Sequence, residues 1–290
     1  MAWSSWRERL IESLIRVCGV SSIVLVALIF IFLLKEGIAL FRTVSVGSFL
    51  GGMRWYPIST PPRFGILPML LGSCLVTVGA IVLAVPIGIA SALCISELAK
   101  GWVKETLKTG IELLAAIPSV VLGFIGVTML APAIKQGFNL STGLTALTGS
   151  ILLAFMAMPT IVSVTEDALS AVPRGHREAA LALGATRWQM MSRVLLPAAA
   201  SGIVAAVMLG IGRVISETIA VMMVTGNAAV IPHTMLQPVR TMTATIAAEM
   251  GETVRGSEHY IALFAIGIVL FIISFVINMI ADWFLHRERS

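Results

Sequence analysis

Six stretches of the chain run without a charged residue: 17–34, 64–96, 113–134, 136–165, 194–212 and 259–281. At a helical rise of ~1.5 Å per residue each can cross a hydrocarbon core of ~30 Å, so the pattern predicts six membrane spans. A seventh uncharged run, 218–239, is interrupted by Thr225-Gly226-Asn227 and by Pro232 and Pro238. Those residues stop a helix, which predicts a helix end followed by a non-spanning re-entrant or surface segment. Pro68 and Pro86 flank or interrupt the second run and Gly72, Gly79 and Gly88 recur through it, a composition that favours bends and close helix packing. The outer segment 35–63 leads into "RWYPISTPPR", whose prolines exclude regular helix and suit a surface connector.

Composition fixes the solvent. With 58% hydrophobic and 12% charged residues the chain has too little polar surface to cover a soluble globule of 290 residues. The formal charge of +5 does not point to nucleic acid, because no block of five basic residues exists and membrane topology alone enriches Lys and Arg. An N-terminus placed inside, followed by six crossings, assigns twelve of the twenty basic residues to the cytoplasm, with the short loop "AKGWVKETLK" as the clearest instance. The start "MAWSSWRERL" lacks a short apolar core with a cleavage site, so it reads as a retained cytoplasmic leader. The expectation is a multi-pass protein of the inner (plasma) membrane with both termini cytoplasmic. Its organisation is 1–67 for the N-terminus, first span and outer loop, 68–285 for a five-helix core, and 286–290 for a tail.

Several polar or reactive residues take bland readings. Trp6, Trp55, Tyr56, Trp102, Tyr260 and Trp283 fall near span ends, where an amphipathic ring anchors at the headgroups. Cys18, Cys74 and Cys94 are far apart, without a metal-binding spacing, and read as small buried hydrophobes; no disulfide or metal site is expected. The stretch "AAEMGETVRGSEHY", with Glu249, Glu252, Arg255, Glu258 and His259, reads as a solvated outer face or a docking surface. His176, His233, His259 and His286 are scattered with no nucleophile beside them, so an enzyme is not expected.

Residues 166–197, between the fourth and fifth runs, carry more. Glu178 to Leu183 favours helix, Gly184 suits a C-terminal stop, and Thr186-Arg187-Trp188-Gln189 matches a capping box that starts another helix. Ala179, Ala180, Leu183, Trp188 and Met191 are more apolar surface than a solvated loop needs. Physical chemistry leaves two burial partners open, the chain's own membrane helices or the groove of another protein.

The order Glu178-Ala179-Ala180, three residues, Gly184, nine residues, Val194, one residue, Leu196-Pro197 resembles the EAA signature of binding-protein-dependent ABC importer permeases, with valine where isoleucine is usual. The resemblance implies the type I permease fold, all-α with six transmembrane helices. It also implies that Glu178, Ala179, Ala180, Gly184, Val194, Leu196 and Pro197 belong to a cytoplasmic coupling helix seated in an ATPase. "FLGGMRWYP", "AVPIGIASALCISELA" and "GRVISETIAVMMVTGN" are similar to the phosphate-importer branch of that family. That likeness implies a second permease, two ATPase subunits and an extracytoplasmic phosphate-binding protein as partners. The chain contains no G-x-x-x-x-G-K-[ST] loop, so no cofactor is expected in it, and ATP and Mg²⁺ are expected in the partner ATPases.

Arg213 and Glu217 stand four apart in the apolar stretch "GIGRVISETIAV". On a straight helix leaving the interface at Pro197, Arg213 is about 24 Å along, in the outer half of the membrane. A charge at the membrane centre costs ~3 kcal/mol or more, so a partner or water is needed. One reading is a structural i,i+4 pair; the other is a path in which Arg213 offers its guanidinium to phosphate oxygens and Glu217 holds it otherwise. The resemblance implies that this Arg and Glu serve phosphate passage. Two rivals remain at this level: a permease for sulfate, molybdate or phosphonate, and a channel or ion-coupled transporter using the two charges as a relay.

Overall fold

The computed structural model describes the backbone of residues 2–287. The side chains of 1–7, 281, 282 and 284–290 lie outside the described residues, and with them the readings made for Trp6, Arg7, His286, Arg287 and Arg289. Helix α1 (Ala2–Gly37) leads through a 3-10 turn (Ile38–Arg42) to α2 (Val46–Gly51) and a two-stranded hairpin, β1 (Trp55–Tyr56) and β2 (Arg63–Phe64). Next come α3 (Leu67–Leu93) with a π-helical end (Cys94–Leu98), α4 (Trp102–Ala116), α5 (Ser119–Ile125), a π turn (Gly126–Leu130) and α6 (Ala131–Gly137). Helix α7 (Ala146–Ala171) precedes α8 (Arg174–Ala182), α9 (Arg187–Met190), a π turn (Met191–Leu195), α10 (Leu196–Ala198) and α11 (Ala200–Ile215). The chain finishes with α12 (Ile219–Val224), α13 (Met242–Glu249) and α14 (Glu258–Arg287).

Five segments are long and apolar enough to cross a membrane: Glu8–Arg42, Leu67–Leu98, Ser119–Gly137, Ala146–Ala171 and Glu258–Ile280. A sixth crossing forms if Arg187–Ala198 and Ala200–Ile215, bent by 73°, count as one span. The fifth run is therefore a bent pair rather than the straight helix expected beyond Pro197. Two other boundaries move. The fourth span starts at Ala146, where Thr145 accepts from the Thr148 amide and caps the helix, rather than at 136. The expected loop "AKGWVKETLK" is mostly the first half of α4, which ends where Pro118 denies a backbone donor. The run 218–239 is a short helix followed by extended chain, with Gly226 bridged to Val239, and does not span.

Small residues let α3 lie against α7. A Cβ added at Gly88 would come 2.7 Å from Ile161 Cγ2, so a larger residue there pushes the helices apart. The central core joins α3, α5, α7 and α12 through Val76, Ala80, Leu122, Leu153, Ala157, Ile161 and Val221. Helix α1 stays exposed along most of its length and rests on α14, with Phe30 stacked on Phe271 at 4.4 Å.

The outer segment is more than a connector. Phe49, Trp55, Phe64 and Ile66 are buried with Leu263 and Ile266 of α14, so α2 and the hairpin form a folded cap. Trp55, expected as an interfacial anchor, is 4% exposed and packs in that cap, whereas Tyr56, Trp102 and Trp283 are exposed. The cysteines also depart from expectation: Cys18, Cys74 and Cys94 are free and exposed rather than buried.

Candidate coupling elbow and transport path

The elbow forms as its residues dictate. Helix α8 stops at Ala182, and Gly184 takes φ +82°, a left-handed turn that glycine adopts without a Cβ clash. Thr186 Oγ1 accepts from the Gln189 amide at 3.2 Å and Gln189 Oε1 accepts from the Thr186 amide at 2.9 Å, completing the capping box. The two burial partners left open by the sequence divide the elbow between them. Ala180, Met190, Met191 and Leu195 are buried against Ala92, Ile95, Val162 and Leu169. Ala179 is exposed, Leu183 is 89% exposed and Trp188 68% exposed, so the opposite face is apolar and uncovered in this chain. Glu178 is also exposed, while Val194 and Leu196 are half-buried and Pro197 lies on the surface two residues before the bend.

Two ion clusters hold this end together, and sequence reading singled out neither. Arg177 on α8 donates to Glu97 Oε1 at 3.0 Å, and to the carbonyls of Val172 and Leu169 at 2.7 Å each. Glu166 on α7 is buried and accepts from Lys108 Nζ at 3.0 Å, with Lys104 Nζ at 3.4 Å. The hydrogen bond to Glu166 and its negative charge raise the Lys108 pKa above the usual lysine value. The spacing of Lys104 and Lys108, one helical turn apart, was the available clue.

Arg213 and Glu217 do meet, Nη1 to Oε2 at 3.3 Å, but not inside one continuous helix. Helix α11 ends at Ile215, so Arg213 occupies its last turn, where a cation suits the helix dipole. Glu217 precedes α12 and its Oε1 accepts from the Ala220 amide at 3.4 Å. The carboxylate side chain is 5% exposed and the guanidinium side chain 45%. Glu217 lines a cavity of about 400 Å³ between α3, α11 and α14, with Ser73, Thr77, Thr241 and Thr243 among mostly aliphatic neighbours. Arg213 is not among the lining residues. Thr243 Oγ1 donates to the Glu217 carbonyl at 3.0 Å and ties the turn to α13.

At the end of the bundle opposite the elbow, Glu249 is not a solvated acid. It accepts from Arg240 Nη1 at 2.6 Å and from Trp55 Nε1 at 3.0 Å, and lies 2.8 Å from His259 Nε2. Glu252, Arg255 and Glu258 remain exposed, as a solvated face requires. No group of three or more His, Cys, Asp or Glu with metal-holding geometry occurs among the described residues.

A family model described as "Binding-protein-dependent transport system inner membrane component" matches residues 84–290, which include the elbow and both charged clusters. The chain belongs to this family. Among its relatives, "Probable ABC transporter permease protein YqgH" of Bacillus subtilis (strain 168) is 39% identical over 278 residues, 95% of this chain and 90% of that protein. "Phosphate transport system permease protein PstC" of Mesorhizobium japonicum is 36% identical, covering 83% of this chain and 78% of its own length. The protein of the same description from Haemophilus influenzae is 32% identical over 84% and 82%. Among solved structures, a bacterial alginate ABC transporter in complex with an alginate-bound periplasmic protein aligns at TM-score 0.63 and 18% identity, over 96% of this chain and 97% of that one. The MetNI methionine ABC transporter in inward-facing form aligns at TM-score 0.57 and 20% identity, over 77% and 94%. At these identities the structures establish fold: a multi-pass type I ABC importer permease.

Proposed function

We propose that this chain is one of two membrane subunits of an ATP-driven importer of inorganic phosphate, itself without catalytic activity. One of two ATPase subunits holding ATP and Mg²⁺ binds the uncovered face of the elbow at Leu183 and Trp188, a second permease completes the path, and an extracytoplasmic phosphate-binding protein delivers the anion. The termini and the elbow face the cytoplasm. The observation that carries the substrate is likeness over more than four fifths of the chain to permeases named for phosphate transport.

The geometry narrows how an anion could pass. A cavity of aliphatic walls and a carboxylate repels phosphate, so the path uses the exposed side of Arg213 rather than the Glu217 cavity. While paired, Arg213 is neutralised and attracts an anion weakly. Transport then requires exchange of Arg213 between Glu217 and phosphate as the permeases alternate access.

The test is uptake of labelled phosphate by vesicles carrying the assembled complex, with ATP inside and with sulfate, molybdate and a phosphonate as competitors. The reading expects ATP-dependent uptake that unlabelled phosphate alone suppresses. Suppression by sulfate or molybdate moves the substrate to another oxyanion, and uptake without ATPase subunits overturns the importer reading.

A further inference from the structure

The elbow touches the membrane helices in two chemically different ways. Ala180, Met190 and Met191 contribute apolar packing, which is non-directional and tolerates sliding. Arg177 contributes directional bonds to two separate helices. Its Nη1 takes the carbonyl of Val172, the capping residue just after α7, and its Nη2 takes the carbonyl of Leu169 in the last turn of α7, which also accepts from the Val172 amide at 3.3 Å. Its Nε takes Glu97 Oε1 at the π-helical end of α3, and Ser96 Oγ donates to the same oxygen at 3.2 Å. The Arg177 and Glu97 side chains are only 18% and 12% exposed, so water competes weakly for these bonds.

From α3 and α7 the contact continues inward. The Gly88–Ile161 approach links the two helices, and Ile161 also meets Gly210 of α11, where an added Cβ would lie 2.7 Å from Cγ1. One turn later α11 carries Arg213. A rigid route of named contacts thus runs from the elbow to the charged pair.

We infer that Arg177 is a positioning residue that fastens the elbow to the ends of α3 and α7, so that movement of the elbow moves both helices. The inference rests on the importer reading above. A planar guanidinium reaches three acceptors spread over two helices. A lysine, with its donors on one atom, cannot span them, and methionine keeps only the apolar stem.

The experiment uses the full complex in proteoliposomes and reads phosphate transported per ATP hydrolysed, together with copurification of the ATPases. Arg177→Met is expected to copurify normally, hydrolyse ATP, and transport about tenfold less phosphate per ATP, the scale of one lost charge-assisted hydrogen bond. Arg177→Lys and Glu97→Gln are expected to fall between it and the parent. Glu166→Gln loosens α4 from α7 without touching the clamp, and is expected to lower thermal stability while leaving the ratio unchanged. Should Arg177→Met fail to assemble, the ratio in Arg177→Lys and Glu97→Gln decides. Parental ratios in the Arg177 and Glu97 variants, or an equal loss in Glu166→Gln, overturn the clamp. A parent complex that neither hydrolyses ATP in response to phosphate nor transports it overturns the importer reading instead, so the two failures show in different samples.

Discussion

Arg213 and Glu217 illustrate how one residue's environment decides its chemistry. A buried carboxylate holds a half-exposed guanidinium, and each sits at the helix end whose dipole favours its charge. Arg213→Gln removes the cation and is expected to lower phosphate uptake by roughly tenfold or more, since a hydrogen bond to a charged group contributes ~1.5–3 kcal/mol; unchanged uptake in an assembled complex contradicts the exchange model. Glu217→Gln leaves Arg213 without its neutralising partner, so a permanently charged site is expected to bind phosphate longer and lower the maximal rate. Single-turnover release measurements distinguish that from loss of the site. The sequence made the i,i+4 charges visible. It concealed the helix end between them, because the residues after Glu217 are as apolar as those before Arg213 and the turn is tied down from 26 residues away, where Thr243 donates to the Glu217 carbonyl.

At the scale of elements, local rules were legible wherever they act within one turn. Gly184 and the Thr186–Gln189 box were read from spacing alone and form as the spacing demands. Gly184→Ala forces a side chain into φ +82° and is expected to cost about 1–2 kcal/mol, seen as faster amide exchange across α8 and α9 and weaker ATPase copurification. Leu183→Glu alters no buried contact, so it is expected to leave the fold intact and reduce copurification alone. Elements fixed by distant partners were not legible. Helix α4 read as a loop because its Lys residues suggested solvent, whereas Lys104 and Lys108 reach across to Glu166 of α7. The bend at Ala199 was likewise missed. Pro197 marks only the neighbourhood of the bend, and α11 beyond it turns to pack on α7, where Gly202 meets Ala168.

Across the whole molecule, two polar knots sit at opposite ends of an apolar bundle, one at the elbow and one around Glu249. The second closes the outer cap. Glu249 at the end of α13 binds Trp55 of the hairpin, Arg240 before α13, and His259 of α14, so one carboxylate joins segments far apart in sequence. Arg240 passes the link on by donating to the Asn227 carbonyl at 3.0 Å, in the extended chain after α12. Glu249→Gln preserves shape but offers one carbonyl oxygen where the carboxylate offered two, and it leaves Arg240 without a countercharge. Because the cluster is partly buried, the expected loss is about 1–3 kcal/mol in stability, read as a lower melting temperature in detergent. Trp55→Phe removes one donor and keeps most of the packing against Phe64, so its expected loss is smaller, about 1 kcal/mol. If Glu249 serves the cap alone, both variants lower melting temperature while phosphate per ATP in the assembled complex stays at the parental value. A fall in that ratio at unchanged melting temperature reverses the assignment and gives the outer knot a part in transport.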